Sequence, residues 1–399
     1  MPGHPYRCRV TNPGAPEPVY LDAASAEPLH PAAREVLLAA YERGYADPRR
    51  LHGPGRDARL LLDNAREVVA QSLGLGRDEV YFTSSGSEAV QLGVIGLRRA
   101  TAGRAGARGD QGGVTVTTAV EHQSVHESAA WRSDGTVAVE VDRLGRVDPA
   151  AVAEAVAATA VERGQAALVA VQHANHEVGT VQPVDAVAAA IGDVPLFVDA
   201  CASMGRLRLP EGWSALAGSA RKWGGPGGVG VLALRRHATW TYPYAADDAV
   251  ARVERGFGNV AGALAAAAAL QAVVAERDRT NARQRELVDL IRARVAEIPD
   301  VEVVGDPEDR LPHLVTFSFL YVDGEALVTE LDRLGFGLAS GSACAADTRE
   351  PSRVLGAMGV LTHGNLRISL THETKREDVE RFLGVLPGLV AKLRAEVGL

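Results

Sequence analysis

Short apolar runs alternate with stretches of helical periodicity from Val19 to about Arg236. Five runs are β-branched or apolar enough to predict strands, namely Glu79–Thr83, Val114–Thr118, Ala167–Gln172, Leu196–Asp199 and Gly228–Leu234. Apolar residues recur three and four positions apart in other stretches, which predicts helices over Pro31–Tyr41, Ala58–Leu73 and Pro149–Val161. Such alternation is typical of a mainly parallel sheet covered by helices. The segment Arg98–Gly113, rich in Gly, Ala and Arg, is expected to be a solvent-facing loop.

The pattern changes after Val260. A long helix is predicted to about Ile298, followed by strands over His313–Leu320 and Leu366–Leu370 and an amphipathic helix from Thr374 to the end. Because one hydrophobic core usually organises about 100–200 residues, a chain of 399 residues is expected to form two domains. We place a large α/β domain at residues 17–258. A smaller α+β domain covers residues 259–399 and includes the N-terminal segment 1–16.

The composition is that of a soluble globular protein, with 46% apolar and 23% charged residues. A formal net charge of −8, with basic pairs scattered along the chain, argues against direct binding to nucleic acid. The N-terminal segment lacks the apolar core of a secretory signal. Three cysteines, Cys8, Cys201 and Cys344, are too few for a disulfide framework and are consistent with a reducing compartment. We therefore expect a cytoplasmic protein.

The most apolar stretch, Val260–Ala275, is rich in alanine and interrupted by Gln271. It falls short of the roughly 20 residues that cross a bilayer. We expect a buried helix here and no membrane partner.

Lys222 lies in the sequence Ser-Ala-Arg-Lys-Trp-Gly-Gly-Pro, among small residues that leave room for a planar ring. Lysines are mostly solvated surface charges, so Lys222 alone would not indicate a site. Asp199, however, ends an apolar strand upstream, where a carboxylate can pair with a pyridinium nitrogen. Together the two residues predict that Lys222 forms a Schiff base with pyridoxal 5'-phosphate.

The run Thr-Ser-Ser-Gly-Ser-Glu at residues 83–88 joins a strand end to a helix start. Helix N-termini bind phosphate through backbone amides and the helix dipole. We therefore predict a phosphate site whose donors are Ser85, Gly86, Ser87, Ser219 and Arg221. The alternative is plain helix capping by Ser85 or Ser87, with Glu88 in the first turn.

His122 follows a predicted strand, where its imidazole can stack on a cofactor ring and move protons near neutral pH. A hydrogen-bonded histidine without such a role is the alternative. His122 and His126 also have the i, i+4 spacing of metal ligands, but no third ligand is evident in the sequence and no metal site is predicted.

Cys344 lies in Ala-Ser-Gly-Ser-Ala-Cys-Ala-Ala, surrounded by residues too small to fix one conformation. A buried structural cysteine is normally wrapped by larger apolar side chains, so we expect a mobile loop that carries a nucleophilic thiol. Cys201, two residues after Asp199, is expected to be a small core residue, with a second catalytic thiol as the alternative.

Arg367 lies among apolar residues in the strand Asn365–Leu370 and needs an anionic partner there. The α-carboxylate of a substrate would be such a partner, gripped through two hydrogen bonds. An outward-pointing arginine on an edge strand is the alternative.

With these residues in place, nearly the whole chain resembles the cysteine desulfurases of the fold-type I, class V aminotransferase superfamily. The resemblance rests on Tyr20–Ala24, Phe82–Glu88, Glu121-His122, Asn175–Gly179, Val198–Ala200, Lys222 and Leu366–Leu370. Its most specific element is Ser340–Cys344 followed by Glu350–Leu355, which is similar to the group with the longer mobile cysteine loop. The resemblance implies a fold-type I transferase, with a mainly parallel sheet of about seven strands in the large domain.

The resemblance also implies an activity. Enzymes of this kind use pyridoxal phosphate to convert L-cysteine to alanine, form a persulfide on a cysteine, here Cys344, and pass the sulfur to an acceptor protein. In this scheme Arg367 and Asn175 bind the substrate, Lys222 moves the Cα proton and His122 stacks on the ring. A homodimer with the cofactor near the subunit interface is implied as well.

Several positions depart from the family pattern. His176, which would lie at the cofactor, stands where relatives have an asparagine; Ala202 replaces a glutamine, and Arg221 replaces the histidine before the lysine. The hydroxyl that a neighbouring subunit sends to the phosphate is not evident around Phe257-Gly258-Asn259. Two alternatives stay open: a selenocysteine lyase or other class V carbon–sulfur lyase, and a sulfur-trafficking scaffold with weakened catalysis.

Overall fold

The computed structural model describes residues 17–104, 113–163, 166–244, 258–340, 351–396 and 398. In chain order the strands are β1 (Val19–Tyr20), β2 (Val80–Thr83), β3 (Val114–Thr118), β4 (Gly135–Val139), β5 (Ala166–Gln172), β6 (Leu196–Asp199), β7 (Ala215–Ser219), β8 (Gly230–Leu234), β9 (Val301–Val304), β10 (Leu314–Phe319), β11 (Phe336–Gly337) and β12 (Asn365–Ser369). The helices are α1 (Pro31–Arg43), α2 (Gly53–Leu73), α3 (Gly86–Arg104), α4 (Gln123–Ala130), α5 (Pro149–Arg163), α6 (Val184–Ala190), α7 (Val260–Val295), α8 (Gly324–Arg333), α9 (Arg353–Met358) and α10 (Arg376–Glu396). All strands and helices predicted from the sequence are confirmed, with bounds shifted by a few residues.

Seven strands form the large sheet, in the order β2-β8-β7-β6-β5-β3-β4. β8 runs antiparallel to both of its neighbours, and the other pairs are parallel. Every residue of β3, β5, β6, β7 and β8 is buried. Helices cover both faces of such a sheet, which explains why these strands read as continuous apolar runs. The predicted seven-stranded, mainly parallel sheet is confirmed.

Successive residues of each central strand enter different hydrophobic cores. Leu168 of β5 packs with residues of α3 and α4 on one face, whereas Val169 packs with α1, α2, α5, α6 and the first half of α7 on the other. At the carboxyl edge of the sheet, Gln172 of β5 pairs with Asp199 of β6. Ligands of open α/β sheets bind at this edge, so Asp199 is placed where a cofactor can reach it.

A further hydrophobic core surrounds the three-stranded antiparallel sheet β12-β10-β9. α8, α10 and the second half of α7 supply its helical residues, and Val288 and Phe382 are fully buried beside Phe317. β1 pairs in parallel with β11 and ties the start of the described chain to this part. We call β9–β12, α8 and α10 the small-sheet region. The two expected domains and the boundary at residue 258 stay predictions.

α7 is 36 residues long and contributes to the large-sheet core that contains Val169 and to the core of the small-sheet region. Among the described helices, it alone is long and apolar enough in composition to cross a membrane. Ala263, Ala266 and Leu270 nevertheless lie in the core that α7 shares with α1 and α2, and core helices of soluble proteins meet the same length and composition criteria. The packing agrees with the expectation of a buried helix.

The expectation of a loop over Arg98–Gly113 is wrong for its first part, because α3 continues to Arg104. Arg98 is fully buried, and its guanidinium donates to the carbonyls of Ser128 (3.1 Å), Ala129 (2.7 Å) and Trp131. These carbonyls lie at the C-terminal end of α4 and lack partners within the helix. The buried Arg98 supplies hydrogen bonds to these carbonyls. The residues around Arg98 in the sequence do not indicate this contact.

Candidate active site

Lys222 ends a single 3₁₀ turn, Ala220–Lys222, directly after β7. Gly224 follows with φ +82°, a left-handed conformation that favours glycine, and a β-carbon there would lie 3.0 Å from His30 Cβ. Burial lowers the pKa of the Lys222 amine below its usual value. A larger share of the amine is therefore neutral, which is the form that attacks an aldehyde.

One pocket contains Lys222 and most of the residues that the sequence predicts for the site. Its lining consists of Gly86, Ser87, His122, Ser124, Gln172, Ala174, His176, Asp199, Cys201, Ala202, Ser219, Arg221 and Lys222. These residues come from the carboxyl ends of β5 and β6, from the turn after β7 and from the N-terminal ends of α3 and α4. The fold thus brings together residues that are far apart in the sequence.

Asp199 is the last residue of β6 and has only 6% of its surface exposed. Its Oδ1 accepts a hydrogen bond from the Cys201 backbone amide at 2.9 Å. Burial raises the pKa of the Cys201 thiol well above its usual range, so Cys201 stays a neutral thiol beside the carboxylate. This placement favours a packing role in the pocket wall over a second nucleophile.

Gly86 begins α3 at the wall of the pocket. A β-carbon on Gly86 would lie 2.7 Å from Ser219 Cβ and 2.9 Å from Cys201 Sγ, closer than side chains pack. Ser87 follows and is exposed at the pocket edge. The first amides of a helix have no partner within it, so this end of α3 can donate hydrogen bonds to an anion.

His122 is the N-cap residue of α4. Its Nδ1 accepts a hydrogen bond from the Ser124 amide at 3.1 Å and lies 2.7 Å from Ser124 Oγ. These contacts orient the ring and leave Nε2 as the atom that can exchange a proton with a ligand. His176 lies edge-on to it, with ring centres 5.0 Å apart and ring planes at 71°. Burial lowers the pKa of both imidazoles, which are therefore neutral near pH 7.

Arg367 is buried in β12, which excludes the alternative of an outward-pointing side chain. Its Nη2 donates to Asp22 Oδ1 at 2.8 Å and to Ser25 Oγ at 2.7 Å, and its Nη1 donates to the His176 carbonyl at 3.2 Å. Its Nε is buried without a hydrogen-bond partner among the described residues. The expected anionic partner exists within the chain as Asp22, and the unpaired Nε leaves room for a further acceptor.

Comparison with known proteins agrees with this geometry. The aminotransferase class-V family model matches residues 19–382. The chain belongs to the aminotransferase class-V family. It is 39% identical over 391 residues to the IscS-like cysteine desulfurase of Mycobacterium tuberculosis, covering 94% of this chain and 97% of that protein. Cysteine desulfurase IscS of Dictyoglomus turgidum is 33% identical, with 94% and 95% covered.

A solved structure of a NifS-like protein superposes on the chain with a TM-score of 0.82 at 25% identity, covering 94% of this chain and all of the other. The superposition includes the large sheet and the small-sheet region together. The fold-type I architecture expected from the sequence is confirmed.

Aminotransferase class-V proteins and cysteine desulfurases use pyridoxal phosphate, and the donor set of the pocket fits that cofactor. A lysine with a lowered pKa suits the aldehyde, and the buried carboxylate of Asp199 suits the ring nitrogen. Ser87, Ser219 and Arg221 would hold the phosphate beside the first turn of α3, where only a glycine fits at position 86. His122 and His176 line the same pocket.

Three of the described residues that the sequence predicts for the site lie outside the pocket lining: Arg367, Ser85 and Asn175. Ser85 Oγ accepts a hydrogen bond from the Glu88 amide at 3.1 Å, which is the capping role that was the alternative for this residue. Asn175 is fully buried: its amide nitrogen donates to the Val120 carbonyl at 3.2 Å, and its oxygen accepts from the amides of Glu177 and Val178 at 2.8 Å. Asn175 shapes the loop that carries His176, and its predicted contact with a substrate stays a prediction.

Cys344, the predicted nucleophile, lies outside the described residues, as does Phe257. Both chain ends that flank residues 341–350 are held at the site. The Ala339 carbonyl accepts from the Arg367 amide at 2.8 Å, and Ser352 Oγ donates to Glu177 Oε2 at 2.6 Å. The chain therefore leaves from and returns to the neighbourhood of Arg367 and His176.

Sequence reasoning missed two carboxylates at the site. Asp22 was noted only as part of a family motif, and its pairing with Arg367 joins residues that are 345 positions apart. Glu177 follows His176 and is buried, and burial raises its pKa to about 7. The sequence signal available for Glu177 was its position directly after His176 and two residues before Gly179. No local pattern indicates the partner of Asp22.

Proposed function

We propose that the protein is a pyridoxal-phosphate-dependent L-cysteine desulfurase that transfers the sulfur of cysteine to Cys344 and releases alanine. The observation that carries the proposal is the single pocket in which Lys222, Asp199 and His122 meet, with Arg367 and the ends of the Cys344 segment beside it. Similarity to proteins named cysteine desulfurase over 94% of the chain supports the same activity.

The residues divide the work as follows. Pyridoxal phosphate, when bound, supplies an electron sink for the substrate carbons. Arg367 binds the substrate carboxylate, with its Nε as the free donor and Asp22 as the partner that is displaced or shared. The Lys222 amine takes the Cα proton, since burial keeps its pKa low enough for it to act as a base. The carboxylate of Asp199 would pair with the nitrogen of the cofactor ring.

The sulfur step is balanced without an external oxidant. The Cys344 thiolate attacks the sulfur of cysteine, a sulfur–sulfur bond forms while the Cβ–sulfur bond of the substrate breaks, and the carbon takes up a proton to leave as alanine. One enzyme thiol and one cysteine thus give one persulfide and one alanine.

A homodimer is part of the proposal. Large apolar side chains between α1 and the middle of α2 are 60% to 81% exposed, namely Leu38, Tyr41, Tyr45, Leu51 and Leu60. Such a concentration is typical of a protein interface. Sedimentation should show a dimer that Tyr41→Glu weakens. Tyr321→Glu, which changes an equally exposed tyrosine (59%) in the small-sheet region, should leave the dimer intact.

We also propose a cytoplasmic location and a sulfur-acceptor protein as partner. Both rest on the scarcity of cysteines and on the chemistry of a persulfide, which must be passed on before the next turnover. His176 and Ala202, which differ from the family pattern, both line the pocket. This observation favours the second candidate function, a scaffold with weakened catalysis.

The decisive experiment is to incubate the cofactor-loaded protein with cysteine, quantify alanine, and locate the added sulfur by mass spectrometry. We expect alanine and one extra sulfur on Cys344, and neither product in Cys344→Ser, while Cys201→Ala keeps both. Full sulfide release by Cys344→Ser would favour a carbon–sulfur lyase. Absence of any alanine from a protein that binds the cofactor would favour the scaffold.

A further inference from the structure

A charge cluster of two buried residues, Glu27 and Arg206, and the half-buried His372 lies outside the pocket lining of the candidate site. The side chains of Glu27 and Arg206 are only 4% and 7% exposed. Glu27 Oε2 accepts a hydrogen bond from Arg206 Nη2 at 2.6 Å. Glu27 Oε1 accepts from both the backbone amide and the imidazole Nδ1 of His372, each at 2.8 Å. Both carboxylate oxygens are thus in use.

The cluster holds the backbone of the lysine turn. Arg206 Nη2 also donates to the Lys222 carbonyl at 3.3 Å, and the Glu27 amide donates to the Arg221 carbonyl at 2.8 Å. Nearby, the His30 amide donates to the Gly224 carbonyl at 2.8 Å. Three carbonyls within four residues of the turn are therefore fixed by groups from elsewhere in the chain.

Each member of the cluster belongs to a segment that carries another part of the site. His372 follows β12, the strand of Arg367. Glu27 belongs to the segment between β1 and α1 that also supplies Asp22 to Arg367. Arg206 lies seven residues beyond Asp199 in the chain, and its carbonyl accepts from Asn281 of α7 at 2.7 Å. A shift of any of these segments would be transmitted to the Lys222 backbone.

The charges of the cluster serve to orient the segments that they join more than to stabilise the fold. Burial alone would raise the pKa of Glu27, but Arg206 and His372 hold it below its usual value, so the carboxylate stays ionised in the interior. A buried ion pair adds little stability compared with apolar residues of the same size, because both charges lose their hydration. The best-attested advantage of such a pair is that it fixes one register between the segments it joins.

We propose that Glu27, Arg206 and His372 are positioning residues that hold the Lys222 turn in register with Arg367. The inference deepens the proposed function, on which it rests, because it explains how an amine on the large sheet is kept aligned with an arginine of the small-sheet region. None of the three residues contacts the pocket, so they act through the Lys222 backbone and not on a ligand.

The test measures cofactor capture without cysteine. Arg206→Met keeps the stem of the side chain and removes its hydrogen bonds to Glu27 and Lys222. Cofactor-free protein is titrated with pyridoxal phosphate, and the visible absorption of the lysine-bound cofactor and the melting temperature are recorded. Arg310→Met is the matched control, because Arg310 has a side chain 1% exposed and pairs with Asp289, and none of its hydrogen bonds goes to the lysine turn.

We expect Arg206→Met to weaken cofactor affinity about tenfold, the size of one lost charge-assisted hydrogen bond, while Arg310→Met lowers only the melting temperature. Wild-type affinity and rate of capture in Arg206→Met would overturn the inference, whatever its melting temperature. If Arg206→Met does not fold, His372→Gln takes its place. We expect His372→Gln to lose less affinity for pyridoxal phosphate, and an unchanged affinity would contradict the inference. Since no cysteine is present, a wild-type protein that captures the cofactor but yields no alanine would refute the proposed function and leave this inference standing.

Discussion

The two sides of the candidate site differ in how far their polar groups are already engaged. On the large-sheet side, Lys222, Asp199 and His122 face one pocket from rigid elements, and their neighbours orient them without occupying the pocket. On the small-sheet side, Arg367 is already paired with Asp22. The first side is built for a group that stays bound, whereas the second must exchange or share a partner whenever a substrate enters.

The largest expected effect is that of Lys222→Ala, which removes the centre of the large-sheet side. Loss of proton transfer alone should lower alanine formation by about 10²–10⁴-fold. The control is Lys392→Ala, because Lys392 is exposed and pairs with Glu330 and Glu396, away from the pocket. Steady-state kinetics with cysteine provides the measurement, and a Lys222→Ala enzyme within tenfold of wild type would contradict the assigned role.

Arg367→Ala tests the small-sheet side. We expect weaker cysteine binding by about 2–5 kcal/mol, the cost of truncating one partner of a buried charge pair. Asp22→Asn sharpens the comparison, since it removes the competing carboxylate and keeps Arg367; its KM should stay equal or fall. An Asp22→Asn enzyme with a KM raised as much as in Arg367→Ala would show that the pair serves only the fold.

Glu177→Gln tests the buried carboxylate that receives the hydrogen bond of Ser352. Burial raises the folded-state pKa of Glu177 from 4.5 to about 7, so the folded protein holds a proton that the unfolded chain releases. Stability is therefore lost as pH rises from 4.5 through 7. Above pH 7 the variant should be more stable than wild type by up to roughly 3 kcal/mol.

Denaturant unfolding at several pH values between pH 5 and pH 8 measures the difference in the free energy of unfolding between the variant and wild type. Glu297→Gln is the control, because its side chain is 70% exposed. Equal stability of Glu177→Gln and wild type at every pH would mean that Glu177 is not buried as an acid.

The smallest effects separate two neighbouring serines. Ser85→Ala removes the cap of α3 and should cost about 1 kcal/mol of stability with unchanged cofactor affinity. Ser87→Ala should weaken cofactor binding and leave the melting temperature nearly unchanged, because Ser87 is exposed at the pocket. Thermal unfolding and cofactor titration of both variants decide the assignment, and a reversed pattern would exchange the two roles.

Much of the large-sheet side was predictable from the sequence. Its strands are buried on both faces and read as continuous apolar runs, and Asp199 ends one of them. Lys222 stands out further because the chain contains only three lysines, Lys222, Lys375 and Lys392, so a lysine among glycines is not part of a general basic surface.

The small-sheet side and the helix ends were harder to predict because their contacts are set by the tertiary fold. The pairing of Arg367 with Asp22 depends on β1 reaching β11, and the burial of Arg98 depends on where α4 ends. Ser85 and Ser87 are the same residue type in the same short run, so the sequence does not tell their roles apart. Because α3 starts at Gly86, Ser85 caps the helix and Ser87 faces the pocket.

The central claim is that Lys222 is the residue that binds pyridoxal phosphate. Its most direct test is to load the protein with the cofactor, reduce it with borohydride, digest it and locate the added pyridoxyl mass. With three lysines in the chain, the assignment is unambiguous. We expect the label on the peptide that contains Lys222. A label confined to Lys375 or Lys392, or no label after full loading, would contradict it.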